Sequence, residues 1–464
     1  MENQENKSLK AIFSDLMLQT VPSYANKIYY SLGFLSMTSF MLLLLSGMVM
    51  VFFGPDWWLT NPVGVFFRSI HLWAVQAFIL FILLHLLIVF STAAYRPPRQ
   101  LTWVIGIAML ALVLVTAEFG YLLRGDLSSQ IKAMHGAEFY GQIGVWLVNN
   151  LNYAQVYGLH IVVIPILILG LLGLHYLLVK VRGIAKPFDP NVSTITVPAK
   201  HKLLFIRGLV LALVIILLAI LFPSPYMKPL TIKDIAKDSP PLVAKTILSE
   251  LDHSSDTAGE AAKNYHFDTA SVFVYTPYQQ YASQDQELLA ENFAAEPDSV
   301  QQGYIKDAGT YFASNGRLDL TSSNPAIAIT SGLVSMAQSG LYEDSLRGQL
   351  QNGFNTTYAY RFLIDTGAVD DAANNAGIGE DQHGILKEEN VRFLPPGSWW
   401  LAPMDLLQSN LLKGDPTVHR TEAEIFAIVL LLAIAFPFIP WVNRLPEKLP
   451  FARWIWREKI KTPS

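Results

Sequence analysis

Four of the ten histidines sit inside long apolar runs: His71, His85, His160 and His175. An ionisable side chain within a bilayer is expensive and is a functional candidate by default. Their spacing sharpens the point. His71 and His85 are 14 residues apart, and on a helix they differ by about 40° in direction and roughly 21 Å in rise. His160 and His175 are 15 apart, about 60° and roughly 22 Å. Each pair therefore faces one way, with one imidazole near each edge of a hydrocarbon core about 30 Å thick. Neutral imidazole is a good axial ligand for haem iron. Two helices of this kind, each with an upper and a lower inward histidine, can clamp two stacked cofactors. A zinc or copper site would instead cluster its ligands. Glycine repeats the interval: Gly33 and Gly47 are 14 apart, as are Gly106 and Gly120. Each is a place where a helix offers a flat surface to a neighbour or a macrocycle.

The elements that must hold these residues are membrane helices. The chain of 464 residues is 52% hydrophobic and only 15% charged, against about 25% charged in soluble domains. That composition excludes an ordinary soluble enzyme, a disordered chain and a nucleic-acid binder. Six runs are long enough to span a bilayer, at about 31–53, 64–90, 102–123, 157–180, 203–222 and 424–441. Backbone groups in lipid must be satisfied internally, so all six are expected to be helical. The expected fold is an all-α membrane protein: an N-terminal segment over 1–30, a four-helix core over 31–185, a fifth helix over 203–222, an inserted soluble domain over 223–423, and a sixth helix with a basic tail over 424–464.

Charge is divided between these parts. From Pro223 to Arg420 there are 13 Lys and Arg against 25 Asp and Glu; the remainder is basic. Lys7, Lys10 and Lys27 precede the first span. Arg96 and Arg99 follow the second, and Lys180, Arg182, Lys186, Lys200 and Lys202 lie between the fourth and fifth. Arg444, Lys448, Arg453, Arg457, Lys459 and Lys461 follow the sixth. The positive-inside rule puts these four segments, with both termini, in the cytoplasm and the acidic block outside. That block contains turn-rich stretches and amphipathic runs near 325–349, with no repeat and no nucleotide loop. Cysteine is absent. Disulfides, thiolate-held iron–sulfur clusters and thioether-linked haem are therefore excluded.

The stretches RSIH (Arg68–His71), RPPRQLTWVIG (Arg96–Gly106), GYLLRGD (Gly120–Asp126) and VYGLHIVVIP (Val156–Pro165) closely resemble the four-helix core of the cytochrome b family. The 15-residue histidine spacing is that of the plastoquinol/menaquinol type. The resemblance covers about residues 20–185. It implies the membrane subunit of a bacterial inner-membrane quinol oxidoreductase, respiratory or photosynthetic, with two b-type haems and quinone or quinol as substrate. It implies Rieske-type or cytochrome c-type partner subunits in a dimeric complex. By resemblance, His71 and His160 hold an outer haem, His85 and His175 an inner one, and Arg68 lies near a propionate. Lys180, Arg182 and His201 are candidates for a quinone site at the inner edge.

The chain also departs from the family. Ser31 stands where the plastoquinol type has a cysteine that tethers a further haem, and Gln155 stands in place of an arginine. The Pro-Glu-Trp-Tyr motif of the outer quinol site is missing. The nearest string is PPGSWWLAP (Pro395–Pro403), where Ser398 precedes the tryptophans; PDWW (Pro55–Trp58) lies in another loop. A haem-bearing conduit without its own outer quinol site is the competing reading.

Overall fold

The computed structural model describes residues 18–143, 148–187, 194–262, 267–349, 355–378, 394–412 and 418–448. Lys7, Lys10 and the tail from Arg453 to Lys461 lie outside the described residues. Six helices are long and apolar enough to cross a membrane: Ile28–Phe53, Pro62–Ser91, Gln100–Leu122, Tyr153–Arg182, His201–Leu221 and Arg420–Phe438. Their boundaries differ from the apolar runs for local reasons. The fourth begins early because the Asn152 side chain accepts the Gln155 amide and caps a turn. The sixth begins on the polar turn Arg420–Glu424, where Arg420 pairs with Glu424. It ends before the apolar run does, since Pro437 and Pro440 cannot continue the ladder.

The first span packs on the second and the third on the fourth. The fifth lies against the first and second, and the sixth touches the third. Between levels, the packing follows a count of seven. Phe40, Phe78 and Val113 lie midway between the paired glycines or histidines of their own helices, and Ile168 lies close to midway. All four are buried in one cluster, and Phe40 stacks on Phe78 with ring centroids 5.3 Å apart. Outside this core, Leu209, Leu213, Leu217 and Ile220 of the fifth span are more than half exposed. An apolar surface of that extent is stable against lipid, not water.

A further helix, Leu127–Ile143, links the third and fourth spans. The chain between the fifth and sixth spans folds into a helical unit. Its core includes Ile232, Val243, Ile247, Phe273, Phe293, Leu333, Tyr342 and Phe362. The expected amphipathic stretch becomes helices Pro325–Ser339 and Leu341–Gly348. Gly340 breaks them at φ +102°, a conformation glycine adopts without strain. The core of the insert also takes in Leu127, Ile131 and Met134 of the linking helix, so insert and bundle share hydrophobic packing.

The segment leaving the fifth span is pinned along its length. Trp73 donates to the Phe222 carbonyl, Arg68 to that of Ser224 and Arg124 to that of Pro225. Gln130 exchanges two hydrogen bonds with Leu230. At the opposite end of the bundle, Thr20–Pro22 pairs antiparallel with Thr196–Pro198.

Candidate functional site

Each of the four glycines lies directly against one of the four histidines. A β-carbon at Gly47 would stand 3.4 Å from the His71 Cε1, and one at Gly120 2.8 Å from that of His160. At the other level, Gly33 would meet His85 at 3.2 Å and Gly106 would meet His175 at 3.5 Å. The common 14-residue interval thus has a steric cause: helix one carries the notches for helix two, and helix three those for helix four.

At the level nearer the insert, the rings of His71 and His160 have centroids 6.3 Å apart. Their Nδ1 atoms are turned outward to partners. The Ser46 hydroxyl is 3.0 Å from His71 Nδ1, and His160 Nδ1 donates to the Thr116 carbonyl at 2.8 Å. Such second bonds fix the tautomer and leave Nε2 as a lone-pair donor. A first-row metal binds imidazole nitrogen at about 2 Å, so a shared ion requires nitrogens about 4 Å apart. The ring separation meets that need. At the second level His85 and His175 lie within electrostatic reach of each other, and the His175 ring lies by the backbone of Thr102. Two levels of facing imidazoles, each backed by glycine, fit a planar bis-imidazole macrocycle such as haem.

The fourth span contains a feature absent from its sequence pattern. The turn holding His160, Leu159–Val163, is π-helical, with the Ile164 amide bonding the Leu159 carbonyl. Pro165 lacks the amide that would bond the Ile161 carbonyl, and its ring crowds that position, so the α ladder cannot run through. The wide turn absorbs one residue. Fifteen residues here therefore span about the same angle and rise as fourteen on the second span, and the expected 60° offset falls to about 40°.

Arg68 is buried. It donates to the Ser224 carbonyl and lies 6.0 and 5.6 Å from the rings of Trp58 and Tyr226, while its Nε has no partner. Arg182 is held by the Pro98 carbonyl, and Lys180 is exposed. The His201 Nε2 is buried without a partner at the start of the fifth span. Ser31 is buried, and the Arg207 guanidinium donates to its hydroxyl at 2.5 Å.

The PPGSWW string reaches into the bundle. Gln76, on the second span between the histidine levels, donates to the Pro396 carbonyl at 3.1 Å and accepts from the Trp399 indole at 2.8 Å. Trp400 lies 6.2 Å from the Tyr121 ring, and Ser398 is buried. PDWW forms a short helix, Pro55–Thr60, against the second span. Reading the sequence for histidines passes over two residues of this region, Gln76 and Glu118. Glu118 did carry a signal, being the only carboxylate in the first five spans.

Paired histidines at two depths among six apolar helices define a multi-pass membrane protein of the electron-transport class. A family model described as Cytochrome b(N-terminal)/b6/petB matches residues 76–232. The cytochrome b6 of Heliobacterium modesticaldum is 32% identical over 199 residues, covering 38% of this chain and 93% of that relative. The cytochrome b6 of Synechococcus elongatus is 30% identical over 207 residues, covering 40% and 96%. A solved chain described as hyperthermophilic respiratory Complex III aligns over 78% of this chain and 98% of its own, at TM-score 0.41 and 17% identity. The chain belongs to the cytochrome b family. Membership implies binding of haem b.

Proposed function

We propose that this protein is the membrane subunit of a quinol:acceptor oxidoreductase and that it carries electrons across the bilayer through two haems. The observation that carries the reading is the set of four histidine–glycine contacts at two matched depths. His71 and His160 hold one haem, and His85 and His175 the other. When bound, each haem supplies reversible one-electron chemistry. Gly47, Gly120, Gly33 and Gly106 keep side chains out of its way. Ser46 and Thr116 orient the ligand rings. The layer of Phe40, Phe78, Val113 and Ile168 separates the levels and excludes water. Arg68 offers its unpaired Nε to a haem carboxylate. His201, with Lys180 and Arg182 at the same edge, receives quinone.

The basic segments lie in the cytoplasm and the acidic insert outside, where it meets redox partner subunits of a dimeric complex. A cysteine at the exposed Ser254 tests the orientation. It should react with an impermeant reagent applied from outside, and labelling only after lysis reverses the topology. Ser398, in place of a carboxylate, favours the second reading, a conduit without its own outer quinol site. Haem content tests the core of both: pyridine haemochrome should give two haems per chain, and His85→Ala should remove one. Quinol-driven haem reduction separates the two readings.

A further inference from the structure

Glu118 is the only carboxylate in the first five membrane spans, and the haem-holding constellation leaves it without a task. It lies two residues before Gly120, the glycine behind His160, and so at the level nearer the insert. Its Oε1 accepts one neutral hydrogen bond, from the Asn150 amide at 3.1 Å. The linking helix makes room for that bond with a glycine: a β-carbon at Gly136 would collide with the Asn150 amide nitrogen and lie 3.3 Å from the Glu118 Oε1. One turn further on the same helix face, Tyr121 receives the Gln76 amide and packs on Trp400 of the PPGSWW segment. Lys132, one turn before Gly136 on the linking helix, places its Nζ 4.3 Å from the Tyr121 ring centroid, buried and without a hydrogen-bond partner. The other ionisable groups on the elements packed here are His135, Glu138 and Tyr140 of the linking helix, with Tyr140 within electrostatic reach of Glu118, Tyr153 and Tyr157 at the start of the fourth span with Tyr360 beside them, and Glu422, buried at the start of the sixth span.

Oxidation of a quinol at this level releases protons and needs a base beside it. His71 and His160 are committed to the haem. Asp126 is taken by Arg124 and by the Ser129 amide. Glu424 pairs with Arg420. We infer that Glu118 is the proton acceptor for quinol oxidised beside the His71–His160 level. The inference rests on the quinol-oxidoreductase reading above and departs from the conduit alternative. A quinol O–H bond breaks and its proton passes to a Glu118 carboxylate oxygen. The second proton goes to water. The two electrons go to two one-electron acceptors, the ferric haem at this level and an oxidised one-electron centre of a partner subunit.

The test uses the full chain in its native membranes. Glu118→Gln should slow quinol-driven reduction of the haem by about 10²-fold, the lower end of what a positioned base contributes. Glu118→Asp should keep most of the rate, and both should keep the dithionite-reducible haem. The wild-type rate should rise with pH through the titration of the acid, and that of Glu118→Gln should be flat. An infrared difference spectrum gives a readout other than the rate: a protonated-carboxyl band should appear on quinol oxidation in the wild type and be missing from Glu118→Gln. A wild-type rate in Glu118→Gln overturns the inference. So does loss of rate on Glu422→Gln, at the buried carboxylate that begins the sixth span, with none in Glu118→Gln, or the absence of the band from the wild type. If wild-type haem is never reduced by quinol, the oxidoreductase reading falls as well, and that outcome needs no variant to recognise it.

Discussion

A β-carbon is a small probe, and the four glycines grade what it would meet. At Gly120 it would press to 2.8 Å from the His160 ring, closer than real β-carbons approach, while at Gly106 it would sit at an ordinary 3.5 Å from His175. His160 cannot yield easily, because its Nδ1 is tied to the Thr116 carbonyl on the same helix as Gly120. Gly120→Ala should therefore lose most of the haem at the His71–His160 level, and Gly106→Ala should keep both haems. Reduced-minus-oxidised spectra of the two variants check the order, and equal loss in both would contradict it. At this scale the sequence is highly legible. A histidine in an apolar run has few reasons to be there, and a 14-residue interval survives folding because the helix leaves it no alternative. Glu118 obeys the same rule and is as visible. Gln76 is not, since its partners Pro396 and Trp399 lie 320 and 323 residues away and no local pattern announces such a pairing.

Helices convert those intervals into depth and direction, and here one element departs from its own pattern. Spacing alone gives the fourth span a 60° offset that the second span lacks. The π turn at Leu159–Val163 removes the mismatch, and its cause, Pro165, is legible only when the proline is read as a break in the ladder and not as one more apolar residue. Deleting Val162 should shorten the interval to 14 residues, as on the second span, and leave two haems per chain. Inserting an alanine after Val162 should rotate His175 out of register by about 100° and lose a haem. Haem loss in the deletion would show that the wide turn is needed for itself.

The insert has its own departure, a buried carboxyl pair. Glu250 of helix Pro240–Leu251 is fully buried beside Asp365 of helix Thr357–Thr366, and each keeps one oxygen without a partner. Burial, with the neighbouring Asp365 second, holds the Glu250 carboxyl well above the usual carboxylate range. A raised folded-state pKa means that the folded state keeps a proton which the unfolded chain has released, so stability falls as pH rises from about 4.3. Glu250→Gln should therefore stabilise the insert at pH 8 by about 1–3 kcal/mol and do little at pH 4. Thermal unfolding of the insert followed by proteolysis at the two pH values reads the difference. An equal shift at both would mean that packing, not the proton, is responsible.

As a whole, the molecule joins a basic, lipid-facing bundle to an acidic, water-facing unit through a shared core. Composition makes the two parts visible as a charge boundary at Pro223, but not the joint. Leu127, Ile131 and Met134 look like part of a polar loop between spans, and only the fold places them in the insert's core. The joint decides how the insert's role can be tested. Excising it would strip the cover from those residues and disturb the bundle, so a change of charge is the better probe. Helix Gln284–Ala295 carries Asp285, Glu287 and Glu291, all exposed, while its Ala290 and Phe293 are buried in the insert's core. If the insert meets a basic electron carrier, this face raises the encounter rate by opposite charge, an effect that salt screens over about 8–10 Å at 0.10–0.15 M. Substituting Asp285→Asn, Glu287→Gln and Glu291→Gln together removes the charge and keeps the helix and its Ser283 cap. Electron transfer from the reduced complex to a basic carrier should then slow several-fold at low ionic strength, and the slope of rate against salt should flatten. Wild type and variant should converge near 1 M salt, where the Debye length is about 3 Å. Identical rates and slopes at every ionic strength would mean that these carboxylates only keep the insert soluble and that the carrier docks elsewhere on the complex.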